Sequence, residues 1–191
     1  LYIVDVEEKV LIPFSSELEL EKDKIYTLME DRNGYLWLGG FKKGITLLSN
    51  EPSRFNFTPL SSFSASMGST LSFVYEDKKN QIWTSTTDGR LIRMDDNMRD
   101  YHSYIVGKGI LSMLHDNEGT IWLGGYSGLF QFDEQSGEIH EVPLLQGKNI
   151  HNIVEGFGGK LYMSVLGEGF SEYNRQTGTL KQICDTTRLN T

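Results

Sequence analysis

Apolar and polar residues alternate along much of the chain in short runs, and Gly, Asn and Asp separate one run from the next. The clearest runs are LIRMD at 91–95 and LFQFD at 129–133. Alternation with a period of two predicts β-strands that are buried on one face, and the separating residues are those that tight turns require. The pattern therefore predicts an all-β protein made of short strands joined by hairpins.

The same pattern occurs four times along the chain. In each copy a large aromatic residue follows an apolar residue after twelve positions. The pairs are Ile25 with Trp37, Leu71 with Trp83, Ile110 with Trp122, and Ile150 with Tyr162. Successive aromatics are 46, 39 and 40 positions apart, and all three tryptophans of the chain occupy this position. A period of about 40 residues with several strands per unit is typical of propeller blades.

Three further positions recur relative to the aromatic. Six positions before it stand Asp31, Asp77, Asp116 and, in the fourth copy, Gly156. Two positions after it stand Gly39, Ser85, Gly124 and Ser164. A later turn carries Gly44, Gly89, Gly128 and Gly169. Each copy thus predicts a four-stranded antiparallel meander, with the aromatic on the second strand and turns at the glycines.

The copies divide the chain into predicted blades at 25–70, 71–109, 110–149 and 150–191. Residues 1–24 are predicted to be the outer strands of a preceding blade, because LYIVD at 1–5 matches LFQFD at 129–133. We therefore expect a single β-propeller fragment of about four and a half blades. A propeller closes by joining its first and last blades, so we expect that this chain alone does not close the ring.

The repeat resembles the two-component regulator propeller repeat. The residues that carry the resemblance are EDRNGYLWLGG with Gly44, EDKKNQIWTST with Gly89, and HDNEGTIWLGGYSGLFQFD. The fourth copy, EGFGGKLYMSVLGEGF, departs from the pattern because Gly156 replaces the aspartate and Tyr162 replaces the tryptophan.

The resemblance implies a function and a set of partners. Repeats of this kind fill the periplasmic sensor region of hybrid two-component proteins, sensor histidine kinase and response regulator in one, from Bacteroidetes. Such a protein is anchored in the inner membrane and carries further blades, a dimerising β-sandwich module and cytoplasmic kinase and receiver parts. Many members are thought to sense oligosaccharides, so the resemblance implies an oligosaccharide ligand.

Charge and composition narrow the classes of partner. The 191 residues include 18 Lys and Arg against 26 Asp and Glu, which gives a formal net charge of −8. A nucleic-acid partner is disfavoured, because affinity for nucleic acid comes mainly from clustered cations. The apolar runs are far shorter than the roughly 20 residues that span a bilayer, so no direct membrane contact is expected. The single cysteine, Cys184, cannot form an internal disulfide.

No sequence motif predicts catalysis, a metal site or a cofactor. The four histidines lack the HExxH spacing, and no glycine stretch matches a phosphate-binding loop. The aspartates resemble the start of a calcium loop, but position 12 of the three loops holds Lys42, Asp88 and Ser127 instead of the closing Glu. We interpret the aspartates as turn caps, and the tryptophans as core residues between blades in preference to sugar platforms.

Ligand binding is predicted at the loops between the second and third strands, by analogy with other propellers. These loops are 41–43, 86–88, 126–127 and 166–168, and a Ser-rich segment at 61–70 lengthens an approach on the same side. The candidate ligand-binding residues are Phe41, Lys42, Lys43, Asp88, Tyr126 and Glu168. Phe41 and Tyr126 are suited to stacking on a sugar, and the two lysines to pairing with an acidic one.

Three functions remain open from the sequence. The favoured one is a non-enzymatic sensor module that binds a saccharide or transmits its binding. A second is a propeller scaffold for protein–protein interaction. The least favoured is a lyase or hydrolase, because no convergent acid, base or metal cluster is visible in the sequence.

Overall fold

The computed structural model describes residues 2–5, 10–13, 24–40, 44–48, 55–58, 70–95 and 101–184. These residues form β-strands and two short 3-10 turns, Pro143–Leu145 and Phe157–Gly159, and this described part contains no α-helix. The all-β architecture predicted from the alternating pattern is confirmed.

Four antiparallel sheets of four strands each, paired in chain order, form blades 1 to 4. Blade 1 contains β3 (Ile25–Glu30), β4 (Leu36–Gly40), β5 (Ile45–Leu48) and β6 (Phe55–Thr58). Blade 2 contains β7 (Leu71–Glu76), β8 (Ile82–Thr86), β9 (Arg90–Met94) and β10 (Tyr101–Ile105). Blade 3 contains β11 (Ile110–His115), β12 (Ile121–Gly125), β13 (Gly128–Phe132) and β14 (Ile139–Glu141). Blade 4 contains β15 (Ile150–Glu155), β16 (Lys160–Val165), β17 (Gly169–Asn174) and β18 (Thr179–Cys184). A separate pair joins β1 (Tyr2–Asp5) to β2 (Val10–Pro13). The predicted four-stranded antiparallel blades are thus confirmed.

The alternating strand directions place the connections of each blade at two opposite edges, that is, at the two ends of its strands. The turns after the first and third strands lie at one edge, which we call the hairpin edge. The loops after the second strands and the connections between blades lie at the other, which we call the loop edge. The first hairpin needs a residue in the left-handed region, and Gly34, Asn80 and Gly119 supply it with φ of 80°, 60° and 88°.

The hydrophobic core is divided among the interfaces between successive blades. The first strands are the innermost ones, because β7 contacts both β3 and β11, and β11 contacts β15. The clusters join Trp37 to Leu71 and Val74, Trp83 to Ile110 and Met113, and Trp122 to Ile150 and Ile153. Each tryptophan therefore packs toward the first strand of the next blade, as expected where repeats bury their faces against neighbours.

The small residue that follows the aromatic by two positions lies where two blades approach closely. A Cβ atom added to Gly124 would lie 2.8 Å from Cγ2 of Ile150 in blade 4. At the same position in blade 2, the Ser85 hydroxyl donates to the Ile110 carbonyl of blade 3 at 2.7 Å. A large side chain would push the blades apart, which explains why each copy has Gly or Ser here.

Polar contacts link neighbouring blades along the hairpin edge. The backbone N–H of Arg32 donates to Glu76 of blade 2 at 3.1 Å. The backbone N–H of Asn117 donates to Glu155 of blade 4 at 2.8 Å. In both cases a residue after the first strand binds a carboxylate at the end of the next first strand. These bonds fix the hairpins of successive blades relative to one another.

Candidate functional site

The repeated aspartate and tryptophan form one hydrogen-bonded unit in blades 1 to 3, which we call the Asp–Trp clamp. The indole Nε1 donates to the aspartate Oδ2 at 2.8 Å for Trp37 and Asp31, 2.9 Å for Trp83 and Asp77, and 2.7 Å for Trp122 and Asp116. The Oδ1 atom of each aspartate accepts two backbone N–H groups of its own hairpin at 2.7–3.0 Å. One carboxylate thus closes the turn and orients the ring.

The carboxylates of the Asp–Trp clamp are buried and fully hydrogen-bonded, so they are not available to bind a ligand at the surface. The three aspartates are 0–5% exposed and the three tryptophans 0–3% exposed. Both oxygens of each carboxylate face N–H donors, which would also face a cation placed beside them. The geometry therefore assigns these residues to the framework of the blade.

Blade 4 replaces the Asp–Trp clamp with a different set of contacts. The Tyr162 hydroxyl donates to Glu172 Oε2 at 2.9 Å, and Lys160 Nζ donates to Glu172 Oε1 at 2.8 Å. These two hydrogen bonds, that from Lys160 first, hold the pKa of Glu172 below its usual value, and the bond to Glu172 raises the pKa of Tyr162. A Cβ atom added to Gly156 would lie 2.2 Å from the Tyr162 ring, so glycine makes room for this ring.

Arg175, in the turn after β17, connects blade 4 to blade 3. Its guanidinium contacts Asp116 Oδ2 and the carbonyl of Gly159, and it donates to Glu155 Oε1 at 3.0 Å. Its side chain is 9% exposed and that of Asp116 is fully buried. No motif in the sequence points to this residue, since an arginine in a polar turn is normally solvated. The missing aspartate at Gly156 was the one indirect signal that blade 4 is held differently.

Half of the predicted ligand-binding set cannot be placed. Phe41, Lys42 and Lys43 lie outside the described residues, as do positions 61–69 of the Ser-rich segment. Their role in binding stays a prediction.

The other three predicted residues lie at the loop edge, one in each of blades 2, 3 and 4. Asp88 accepts a hydrogen bond from the Thr86 hydroxyl and lies 3.8 Å from Arg90 Nε. Glu168 accepts from Lys148 Nζ at 2.6 and 2.7 Å. Tyr126 is 53% exposed and its ring lies against Gly109. Of the three, Tyr126 presents the open surface, whereas both carboxylates already have cationic neighbours.

A second set of residues, which the sequence analysis missed, follows from a bulge in each first strand. The pairing of the first with the second strand shifts between Ile25 and Thr27, Leu71 and Val74, Ile110 and Ser112, and Ile150 and Asn152. Bulges leave a residue out of the ladder and re-aim side chains, often next to functional sites. The residues skipped at the start of the four strands are Tyr26 in β3, Ser72 and Phe73 in β7, Leu111 in β11 and His151 in β15. These residues differ from copy to copy, although each follows the apolar residue that begins its first strand. That variation in the sequence could have indicated a binding surface.

These first strands line a groove of about 260 Å³, which we call the channel groove. Its polar lining residues are Thr27, Ser72, Tyr75, Ser112, His151 and Asn152. The groove crosses all four blades on the innermost strands. The Tyr75 hydroxyl already has a hydrogen-bond partner in the protein, because it accepts the backbone N–H of His115 at 3.0 Å. The remaining groups form a mostly neutral polar surface.

A larger groove of about 600 Å³ lies at the hairpin edge of blade 3. Its charged side chains are engaged with one another: Glu134 lies 3.9 Å from Lys79 and contacts Arg93. Asp133 accepts the backbone N–H groups of Gln135 and Ser136, which lower its pKa. The two carboxylates of this groove therefore serve a turn and ion pairs.

Within the described ranges, no three His, Cys, Asp or Glu side chains are placed to hold a metal ion together. The same ranges contain no helix with the length and apolar character needed to cross a membrane.

A family model, the two-component regulator propeller, matches residues 19–42. That segment includes β3, β4 and the Asp–Trp clamp of Asp31 and Trp37. The resemblance on which the sequence analysis relied is thereby confirmed. No curated protein matches the chain.

Several solved structures share the fold. The extracellular domain of BT4673 from B. thetaiotaomicron, a protein that has been called both a one component and a hybrid two component system, matches with a TM-score of 0.70 and 19% identity, over 86% of this chain and 22% of that one. An inactive virginiamycin B lyase from Staphylococcus aureus with quinupristin matches with a TM-score of 0.70 and 15% identity, over 92% and 60%. PorZ, a surface component of the type-IX secretion system of Porphyromonas gingivalis, matches with a TM-score of 0.63 and 14% identity, over 88% and 28%. The chain is similar to propellers of several functions, and it spans less than a quarter of the BT4673 domain.

Proposed function

Because the chain carries the two-component regulator propeller repeat, we propose that it belongs to the ligand-sensing, extracytoplasmic region of a hybrid two-component signalling protein. The observation that carries the proposal is the Asp–Trp clamp, which recurs in three blades and lies within the matched segment in blade 1. The shared fold with the BT4673 extracellular domain supports the same assignment. The corresponding location is the periplasm of a bacterium of the Bacteroidetes.

The proposed ligand is an oligosaccharide, bound without turnover. Its support is chemical: the innermost strands present neutral polar groups, and Tyr126 presents an exposed aromatic ring at the loop edge. Aromatic faces combined with hydrogen-bonding groups suit the two sides of a sugar ring. The two carboxylates of the predicted binding set, Asp88 and Glu168, have cationic neighbours, which favours a binding role over acid and base catalysis.

The proposed function is tested in two measurements on the whole chain and on the protein that contains it. Thermal-shift titration of the chain with a panel of oligosaccharides should raise the melting temperature for at least one of them, because a ligand of the folded state stabilises it. A transcriptional reporter driven by the parent protein should respond to the same sugar. A reporter that responds to none of the panel would contradict the proposal, and release of new reducing ends would identify an enzyme instead.

A second candidate function is a protein-interaction scaffold, which exposed apolar side chains at the loop edge favour. Leu144, on the connection between blades 3 and 4, is 50% exposed, and Leu166, in the loop between β16 and β17, is 65% exposed. A defined protein partner that is lost in Leu166→Asp, together with a reporter silent to every sugar, would support this candidate.

A further inference from the structure

We propose that the channel groove binds one neutral saccharide unit, with His151 and Asn152 as its hydrogen-bonding residues and Phe73 as an aromatic residue of its wall. The inference rests on the proposed function and names the place and class of its ligand. It moves the site from the second-to-third loops to the bulges of the first strands.

The bulge in β15 exposes two adjacent polar residues inside a strand that is otherwise buried. Ile150 and Ile153 are 0% and 4% exposed, whereas His151 and Asn152 between them are exposed. Regular alternation would bury one of the two polar residues, and the register shift between Ile150 and Asn152 prevents this. The strand therefore holds two polar side chains on a rigid element beside the groove, where sites are placed more precisely than on loops.

These residues retain unused hydrogen-bonding capacity. Asn152 Oδ1 accepts the backbone N–H of Ile153 at 2.9 Å, which fixes the side chain and leaves two amide donors. Within the described part of the chain, the His151 imidazole has no hydrogen-bond partner. Ser112, another groove residue, is 6% exposed and its hydroxyl has no partner there either. Buried polar groups are normally paired, so an unpaired hydroxyl in the wall of a groove indicates a bound group or water.

The lining selects a neutral ligand. The residues that the structure places around the groove include no Lys, Arg, Asp or Glu. A charged ligand would lose its hydration there without gaining a counter-charge, whereas hydroxyl groups can exchange water for the Asn, Ser, Thr and His side chains.

The size of the groove selects a single small unit. Its volume of about 260 Å³ lies just below the roughly 300–1,000 Å³ typical of sites for drug-sized ligands. Phe73, an aromatic residue, and the apolar side chains of Val74, Leu111 and Met113 also line the groove. A ring that is apolar on its faces and polar at its rim matches this combination of groups.

The test titrates the whole chain with glucose, galactose, mannose and N-acetylglucosamine as neutral probes and glucuronic acid as the charged one. The chain has four histidines, so their imidazole NMR resonances can be assigned with single substitutions. At least one neutral sugar should shift the His151 resonance and leave that of His140, an exposed histidine on the outer strand β14, unchanged. His151→Ala combined with Asn152→Ala should raise the Kd at least tenfold, while His140→Ala keeps the wild-type Kd.

Unfolding midpoints of the three proteins separate a binding defect from a folding defect, and they should agree because the altered side chains are exposed. Wild-type affinity in the double variant would overturn the channel groove as the site. Binding of glucuronic acid alone, or of no probe, would overturn it as well. The reporter assay decides the sensing function separately, because a sugar response that survives the double variant places the ligand elsewhere.

Discussion

Blades 3 and 4 satisfy the same aromatic position with different chemistry. In blade 3 the Trp122 indole donates to Asp116 at 2.7 Å within a single hairpin. In blade 4 the Tyr162 hydroxyl donates to Glu172 on β17 at 2.9 Å. The repeat therefore requires an aromatic ring whose polar end is satisfied, while the acceptor can come from a different strand of the sheet.

The two blades also differ in what covers the aromatic. Trp122 is 3% exposed because the first strand of blade 4 packs on it. Tyr162 is half-buried and stacks on Phe170 at 5.8 Å, and Phe170 is itself 39% exposed. Burial of this position is thus supplied by the neighbouring blade, in line with a core that is divided among the interfaces between successive blades.

The largest expected effect is that of removing the covered aromatic. Trp122→Ala should lower the free energy of unfolding by about 3–5 kcal/mol, because it empties an interface and leaves Asp116 without its indole donor. Urea denaturation followed by circular dichroism measures the change. Tyr126→Ala, which alters an exposed aromatic of the same blade, is the matched control and should change stability by less than about 0.5 kcal/mol. Equal losses in the two variants would refute the division between core and loop.

Arg175→Gln should have the next largest effect, since it breaks the contact between blades 3 and 4. The change leaves the buried Asp116 and the 13% exposed Glu155 without their cation. Breaking a buried ion pair costs about 3–5 kcal/mol, and we expect a loss near the lower limit. The control is Arg32→Gln, whose guanidinium is 53% exposed at the interface of blades 1 and 2 and should contribute less than about 1 kcal/mol. Denaturant midpoints that fall equally in both variants would show that Arg175 is an ordinary surface ion pair.

Asp77→Asn tests the Asp–Trp clamp itself with a minimal change of shape. The new amide nitrogen must face either the Trp83 indole N–H or the backbone N–H groups of the hairpin, all of which are donors. Leaving a buried donor unpaired costs about 1–3 kcal/mol. Asp133→Asn is the control, because its turn at the surface needs only one acceptor oxygen. A thermal melt that separates the two variants by less than a degree would contradict the importance of the second oxygen.

The fold was predictable because its determinants are local and repeated. Asp31 and Trp37 are six positions apart, and their hydrogen bond closes within one hairpin. The same spacing in three copies encodes both the turn and the buried ring, so the period and the strand order could be inferred from the residues.

The site was less predictable because it depends on contacts between distant segments. Arg175 and Asp116 are 59 positions apart and meet only when two blades pack. The bulge that exposes His151 and Asn152 is a shift of register, which alternation alone does not encode. The variable loops were therefore predicted as the binding site, although the first strands also vary between copies at the positions of their bulges.

The smallest expected effect is a pH dependence confined to blade 4. The hydrogen bonds from Lys160 and Tyr162 hold the pKa of Glu172 below its usual value of 4.5 in the folded state. The unfolded chain lacks these bonds and takes up the proton first as the pH falls. The stabilisation by Glu172 is therefore complete above its ordinary pKa and disappears as the pH falls through the lower, folded value.

The difference in the free energy of unfolding between the wild type and Glu172→Gln, from urea titrations between about pH 7 and pH 3, should narrow in acid. Lys160→Met should reduce the same dependence, because the bond from Lys160 is the larger cause of the shift. A gap that stays constant across this range would mean that Glu172 acts by shape alone, and blade 4 would then differ from blade 3 in geometry without differing in charge.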